Sequence, residues 1–160
     1  MHPRLMAEDS EKLKLSEAIT HLLEECRMVL PGVQALFGFQ LIAVFNAGFD
    51  TKLSGAEQKL HLAALALVAI AGALVMTPAA LHRQSGPREA SERFLRVASS
   101  LLLGSMPALM LGIGIDFYLI AHVVLGNAEL AAAAAGGLVF LFATCWFIFP
   151  RIYRRRYHKA

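Results

Sequence analysis

A chain of 160 residues that is 57% hydrophobic, with a mean hydropathy of +0.55 and only 17% charged residues, lies well outside the soluble norm of about 25% charge. The charges gather in the first thirty residues, two short connections and the tail. The stretches between them lack the polar face that each helix of a soluble bundle requires. A soluble helical domain is therefore excluded, and an all-α, four-helix transmembrane bundle with an amphipathic N-terminal helical extension is expected.

Residues 1–14 are polar and read as a flexible cytoplasmic leader, with the transmembrane domain following over 15–160. The first apolar stretch comes after this charged leader and carries no cleavage site, so no signal peptide is expected. From Leu15 a helical stripe begins, in which Leu15, Ile19, Leu22, Leu23, Cys26, Val29, Leu30 and Val33 recur at steps of three and four. Glu17, His21, Glu24 and Arg27 lie opposite, and Glu24 and Arg27 are spaced for an ion pair. The first span is placed at about 28–48, long enough for a hydrocarbon core. Pro31 and Gly32 allow a kink near its start, and Asn46 and Gly48 suit its end.

Ser54-Gly55-Ala56-Glu57 is a capping box that starts the second helix, whose span covers about 60–81. A polar connection follows, with Pro87 suited to the first turn of the third helix. That helix spans about 97–122, carries Pro107 and several glycines, and stops at Gly126-Asn127. The connection is so short that the third and fourth helices must form an antiparallel hairpin, with Asn127 as cap and Glu129 complementing the helix dipole. The fourth span, about 130–150, opens on five alanines and Gly136-Gly137. The pairs Ala132/Gly136 and Ala133/Gly137 are expected at close helix contacts.

Thirteen of the fifteen lysines and arginines fall on one side of this arrangement, leaving Lys52 and Lys59 on the other. The positive-inside rule then places both termini in the cytoplasm of a cell membrane. Basic residues beside apolar spans act as topology signals, so the partners expected are the bilayer and, at the tail, anionic lipid headgroups, with no nucleic acid. Cys26 and Cys145 lack any paired spacing and read as small buried residues.

Enzyme signatures are absent, as are metal-binding spacings, so neither catalysis, a metal nor a cofactor is expected. Asp116 is the carboxylate deepest in an apolar run, and a charge there costs several kcal/mol unless paired or neutralised. One reading makes it part of a proton- or cation-sensitive site near the outer mouth, with a histidine or amide from another helix or subunit. The other makes it an interface residue bonded to Tyr118, Asn46 or backbone. His122, six residues on, lies on another face; Asn46, Asp50, His61 and Glu129 are further outer-half candidates. Gln34 and Gln40 point about 120° apart on the first span, and Gln34 is the one taken as a pathway candidate. At the inner end, Glu25, Arg27, His82 and Arg83 are a candidate charged ring.

The segments EECRMVLPGVQALFGFQLIAV (24–44), PAALHR (78–83) and FPRIYRRR (149–156) resemble a family of small four-span bacterial membrane proteins without assigned function. Some of its members carry the label sodium:proton antiporter. The matching positions are Glu25, Arg27, Gly32, Val33, Gln34, Phe37, Phe39, Pro78, His82 and Arg83. The resemblance implies the four-span fold and no particular chemistry; the inverted repeats and broken helices of large antiporters are missing here. Four spans enclose little in a monomer, so a homo-oligomeric ion channel or ion- or proton-linked transporter is the expected function. The alternative is a non-transporting membrane subunit or scaffold that docks a cytoplasmic partner through the N-terminal helix and basic tail.

Overall fold

The computed structural model describes residues 3–85 and 92–157, and every long element in it is helical. They are α1 (Pro3–Val44), the one-turn α2 (Phe49–Lys52), α3 (Gly55–Ser85), α4 (Glu92–Leu125), α5 (Ala128–Ala143), a π-helical turn (Thr144–Ile148) and α6 (Phe149–Tyr157). Four stretches, Leu13–Val44, Gly55–Gln84, Glu92–Leu125 and Ala128–Arg155, are long and apolar enough to cross a membrane. The protein is a multi-pass membrane protein with an all-α bundle fold. Pro87 and Lys159 lie outside the described residues.

The helices pack along seams legible in their spacing. On α3 the buried positions are His61, Ala64, Val68, Ala71, Val75 and Pro78, a run of alternating three- and four-residue steps that keeps one face inward. On α1 they are Ile19, Leu22, Cys26, Val33 and Gln40. On α4 the seam runs through Ala98, Leu102, Ser105, Ala108 and Gly112. α3 and α4 make the most extensive pairing, α1 lies mainly on α3, and α5 packs against α4. Toward the basic end, Leu22, Cys26, Val75, Ala98 and Leu102 close into one apolar cluster.

Several expectations are corrected. The leader is helical from Pro3, continuous with the first span, and Pro31 sits inside this helix without ending it. Glu24 lies 3.6 Å from His21 rather than pairing with Arg27. The fourth span is not one regular helix to residue 150. Pro150 has no N–H and its ring would meet the carbonyl of Trp146 in a regular helix. The chain meets this by widening one turn, so that the Phe149 N–H reaches back to the Thr144 carbonyl. The small residues of α5 that pack within the chain are Ala131 and Ala135. Ala132, Ala133, Gly136 and Gly137 face outward, and a Cβ at either glycine would meet nothing within 4 Å.

Both predicted caps form. Ser54 N and Oγ donate to Glu57 Oε2 at 2.8 and 2.7 Å, and Asn127 Oδ1 accepts from the N–H groups of Glu129 and Leu130. Gly126, at φ 63°, makes the turn between α4 and α5 in a conformation that favours glycine.

α3 and α4 approach closely at Gly112, where a Cβ would stand 2.8 Å from Val68 Cγ2 and 3.2 Å from the Ala64 backbone oxygen. Val68 is fully buried and a backbone oxygen cannot rotate aside, so α3 and α4 would have to separate. Gly112→Ala is expected to lower stability in an SDS unfolding titration by about 1–3 kcal/mol. Gly136→Ala, with open space around it within the chain, should leave the stability of the single chain unchanged or raise it by up to about 1 kcal/mol from helix propensity.

Candidate functional site: an acid–imidazole–amide cluster

Three helices each place one polar side chain at the same level of the bundle, in the half nearer the α4–α5 hairpin. α1 brings Gln40, at the end of its buried stripe, one heptad beyond Val33. α3 brings His61, the first buried member of its seam. α4 brings Asp116 from the apolar run after Gly112 and Gly114. His61 is 7% exposed and Gln40 3%, so their polar atoms depend on one another.

His61 Nδ1 lies 3.0 Å from Asp116 Oδ1, and His61 Nε2 lies 3.0 Å from the backbone carbonyl oxygen of Gln40. The side-chain Nε2 of Gln40 donates to the second carboxyl oxygen, Asp116 Oδ2. Each carboxyl oxygen thus has its own partner, and a single imidazole joins α1 to α4. The Oε1 atom of Gln40 is buried without a donor, the one open hydrogen-bonding position among the described side chains of the cluster. Phe49 of α2 stands edge-on to the His61 ring, with centroids 5.5 Å apart.

The proton count follows from the partners. A backbone carbonyl only accepts, and so does an ionised carboxylate. With a neutral imidazole and an ionised Asp116, one His61 nitrogen would face an acceptor with no hydrogen between them. All contacts are satisfied by imidazolium with carboxylate, or by neutral imidazole with a protonated carboxyl. Both carry the same protons and no net charge, and differ by one transfer across the 3.0 Å gap.

A second acid–histidine pair sits nearer the hairpin end with the roles of the helices exchanged. Glu57 of α3 meets His122 of α4 through its Oε1 and His122 Nδ1, while its Oε2 serves the capping box. Tyr118 stacks on the His122 ring at 5.9 Å. A cavity of about 480 Å³ runs from the α1–α3 connection, at Asn46, Phe49 and Lys52, down to Gln40, His61 and Asp116. Its remaining walls are largely apolar. Among the described residues, no three of His, Cys, Asp and Glu converge as a metal site would need; the pairs are the units.

Of the predicted residues, Asp116 and His61 meet directly. Asp116 bonds to neither Tyr118 nor Asn46. His122 is on a different face from Asp116, as its spacing implies, and finds Glu57. Asn46 lines the cavity mouth but is exposed, its Oδ1 accepting from the Gly48 N–H. Asp50 and Glu129 are exposed. Gln34 is exposed on α1 and does not join the cluster; Gln40 is the glutamine that does. The sequence held a signal for this, since 26, 33 and 40 share a heptad position whereas 34 is one residue out of register. At the basic end, Arg27, His82 and Arg83 surround a second cavity; Glu25 is exposed and takes no part in its lining.

A model of the family of unknown function DUF6328 matches residues 8–150. No curated protein and no solved structure matches the chain.

The cluster should behave as one energetic unit. Asp116→Leu and His61→Leu each strand a buried polar partner and are expected to cost about 3–5 kcal/mol in SDS titrations. The double variant should cost less than the sum by about 1–3 kcal/mol. Gln40→Leu removes a donor to the carboxyl but also the unsatisfied Oε1, so it should cost less than either, about 1–2 kcal/mol. Additive single and double variants would show that the pair does not interact.

Proposed function

We propose that this chain, a member of the family of unknown function DUF6328, is a proton- or cation-linked membrane transport protein working as a homo-oligomer. It has no enzymatic activity in this reading. The observation that carries the reading is the acid–imidazole pair of Asp116 and His61 at the foot of a cavity that opens toward one end of the spans. Loss of the proton leaves Asp116 ionised beside a neutral His61. The negative charge can then hold a small cation arriving through the cavity, while His61 can no longer satisfy both Asp116 and the Gln40 carbonyl. Ion exchange is thereby coupled to the packing of α1 against α3 and α4. The other charged groups near this path are Lys52 at the mouth and the Glu57–His122 pair above it.

The basic asymmetry of the sequence supports a topology with both termini in the cytoplasm, which puts the cavity mouth on the outer side. Oligomerisation is supported by two features. Inward of the pair, the buried face of α3 is apolar through Ala64, Val68, Ala71 and Val75, so among the described residues that seam carries no polar route toward the other side. The outward small residues of α5, flanked by exposed Phe140 and Leu141, fit a close approach by a second copy.

A second reading has its own observation. α1 is 42 residues long, about 63 Å, against a hydrocarbon thickness of about 30 Å. Its polar first half is a helical stalk beyond the bilayer and a natural docking element for a cytoplasmic partner, which favours a non-transporting subunit.

Flux separates the two. Purified protein in proteoliposomes is expected to dissipate an imposed proton, sodium or potassium gradient. Asp116→Asn should lower that flux at least about tenfold, the scale of losing one 1.4 kcal/mol interaction, or flatten its pH dependence, while Gln34→Leu should transport normally. A protein that moves none of these ions would leave the docking subunit as the better account.

A further inference from the structure

We infer that the basic end of the α1–α3 interface is a binding site for the phosphate of an anionic phospholipid, distinct from the exposed tail. The inference does not rest on the transport reading. It needs only that this end of the bundle meets a leaflet containing acidic lipid, as the positive-inside topology implies.

A cavity of about 480 Å³ opens between α1 and α3 at the level where the spans become polar. Its rim carries Arg27 from α1 and His82 and Arg83 from α3, and its floor is apolar, including Leu30, Val75 and Met76. The lining contains two formal positive charges and no carboxylate. Among the described residues neither arginine is in an ion pair, and the nearby Glu24 is engaged with His21 at 3.6 Å. His82 is steadied by the Phe94 ring of α4, with centroids 5.8 Å apart. Arg27 and Arg83 offer planar forks suited to a tetrahedral anion, and the His82 ring adds a third polar group.

The floor decides which phosphate. A site for free phosphate or an acidic peptide would gain nothing from Val75 and from Met76, which is 52% exposed at the helix surface. A phospholipid uses both parts at once. Its phosphodiester meets the arginines while the first methylenes of an acyl chain run along Leu30 and Met76 into the hydrocarbon. Basic pockets between spans at the membrane face take acidic lipid in this way.

The test is native mass spectrometry of the full-length protein released from nanodiscs of mixed phosphatidylglycerol and phosphatidylcholine. Retained phosphatidylglycerol should exceed phosphatidylcholine by about tenfold or more, as two lipid-facing basic residues warrant. Arg27→Gln with Arg83→Gln should remove that preference. Neutralising the tail through Arg151→Gln, Arg154→Gln and Arg155→Gln should leave it. Ala79→Leu fills the apolar part of the cavity without touching either arginine, and should also lower retention, so the assignment does not hang on the double arginine variant folding well. Equal retention of both lipids by the wild type, full preference in the double arginine variant, or displacement of the lipid by millimolar inorganic phosphate would each overturn the proposal.

Discussion

In a bilayer, a polar side chain must find its partner within the protein, because the surrounding hydrocarbon supplies none. This constraint meets its sharpest case at His61. Its ring lies in the seam between α3 and its neighbours, one nitrogen toward Asp116 on α4 and the other toward the main chain of α1 at Gln40. Apolar side chains alone would let α1 slide along α3 by a turn at little loss, since Leu, Val and Ala exchange easily in lipid. Two directed bonds from one rigid ring do not allow that. They set the register of three helices, and the close α3–α4 approach at Gly112 lies about one turn below Asp116 on the same helix.

The same bonds tie register to a proton. Because both nitrogens face acceptors, the arrangement is complete only while the acid and imidazole together hold their shared proton. The cluster is uncharged in that state, which is the form a low-dielectric site tolerates. Remove the proton and one helix connection must weaken, either to α1 or to α4. The Glu57–His122 pair repeats this chemistry nearer the hairpin end, but with an exposed capping box to satisfy Glu57, so it depends less on its histidine. The deeper pair is therefore the one on which the packing of the three helices depends more closely.

Most of the fold was legible in the sequence because its determinants are local. Apolar length marks the four spans, Ser54 to Glu57 and Gly126-Asn127 mark helix boundaries, and the crowding of basic residues marks one end. The site was half legible. A lone Asp116 in an apolar run announces that partners exist, and the choice of a histidine or amide from another helix follows from chemistry. Which histidine and which glutamine depends on rotation between helices, which single-helix spacing does not contain. Gln34 and Gln40 differ by about 120° around α1, and only the continuation of the Cys26–Val33 stripe points to Gln40. For α5, composition marks small residues but not their direction: Ala131 and Ala135 turn inward while their neighbours face out. The π-helical turn is legible only in hindsight, from Pro150 standing where a regular helix would need an N–H.

The central claim is that the His61 ring, bonded to Asp116 and to the Gln40 carbonyl, holds α1 against α4. Its most direct test is a pulsed-EPR distance between labels at Phe45→Cys and Val124→Cys, both exposed sites at the hairpin end, in a chain carrying Cys26→Ala and Cys145→Ala. His61→Leu, which removes the imidazole bridge and leaves only the Gln40–Asp116 bond, should lengthen or broaden the distance distribution relative to the otherwise identical chain. A distribution unchanged by His61→Leu would contradict the account.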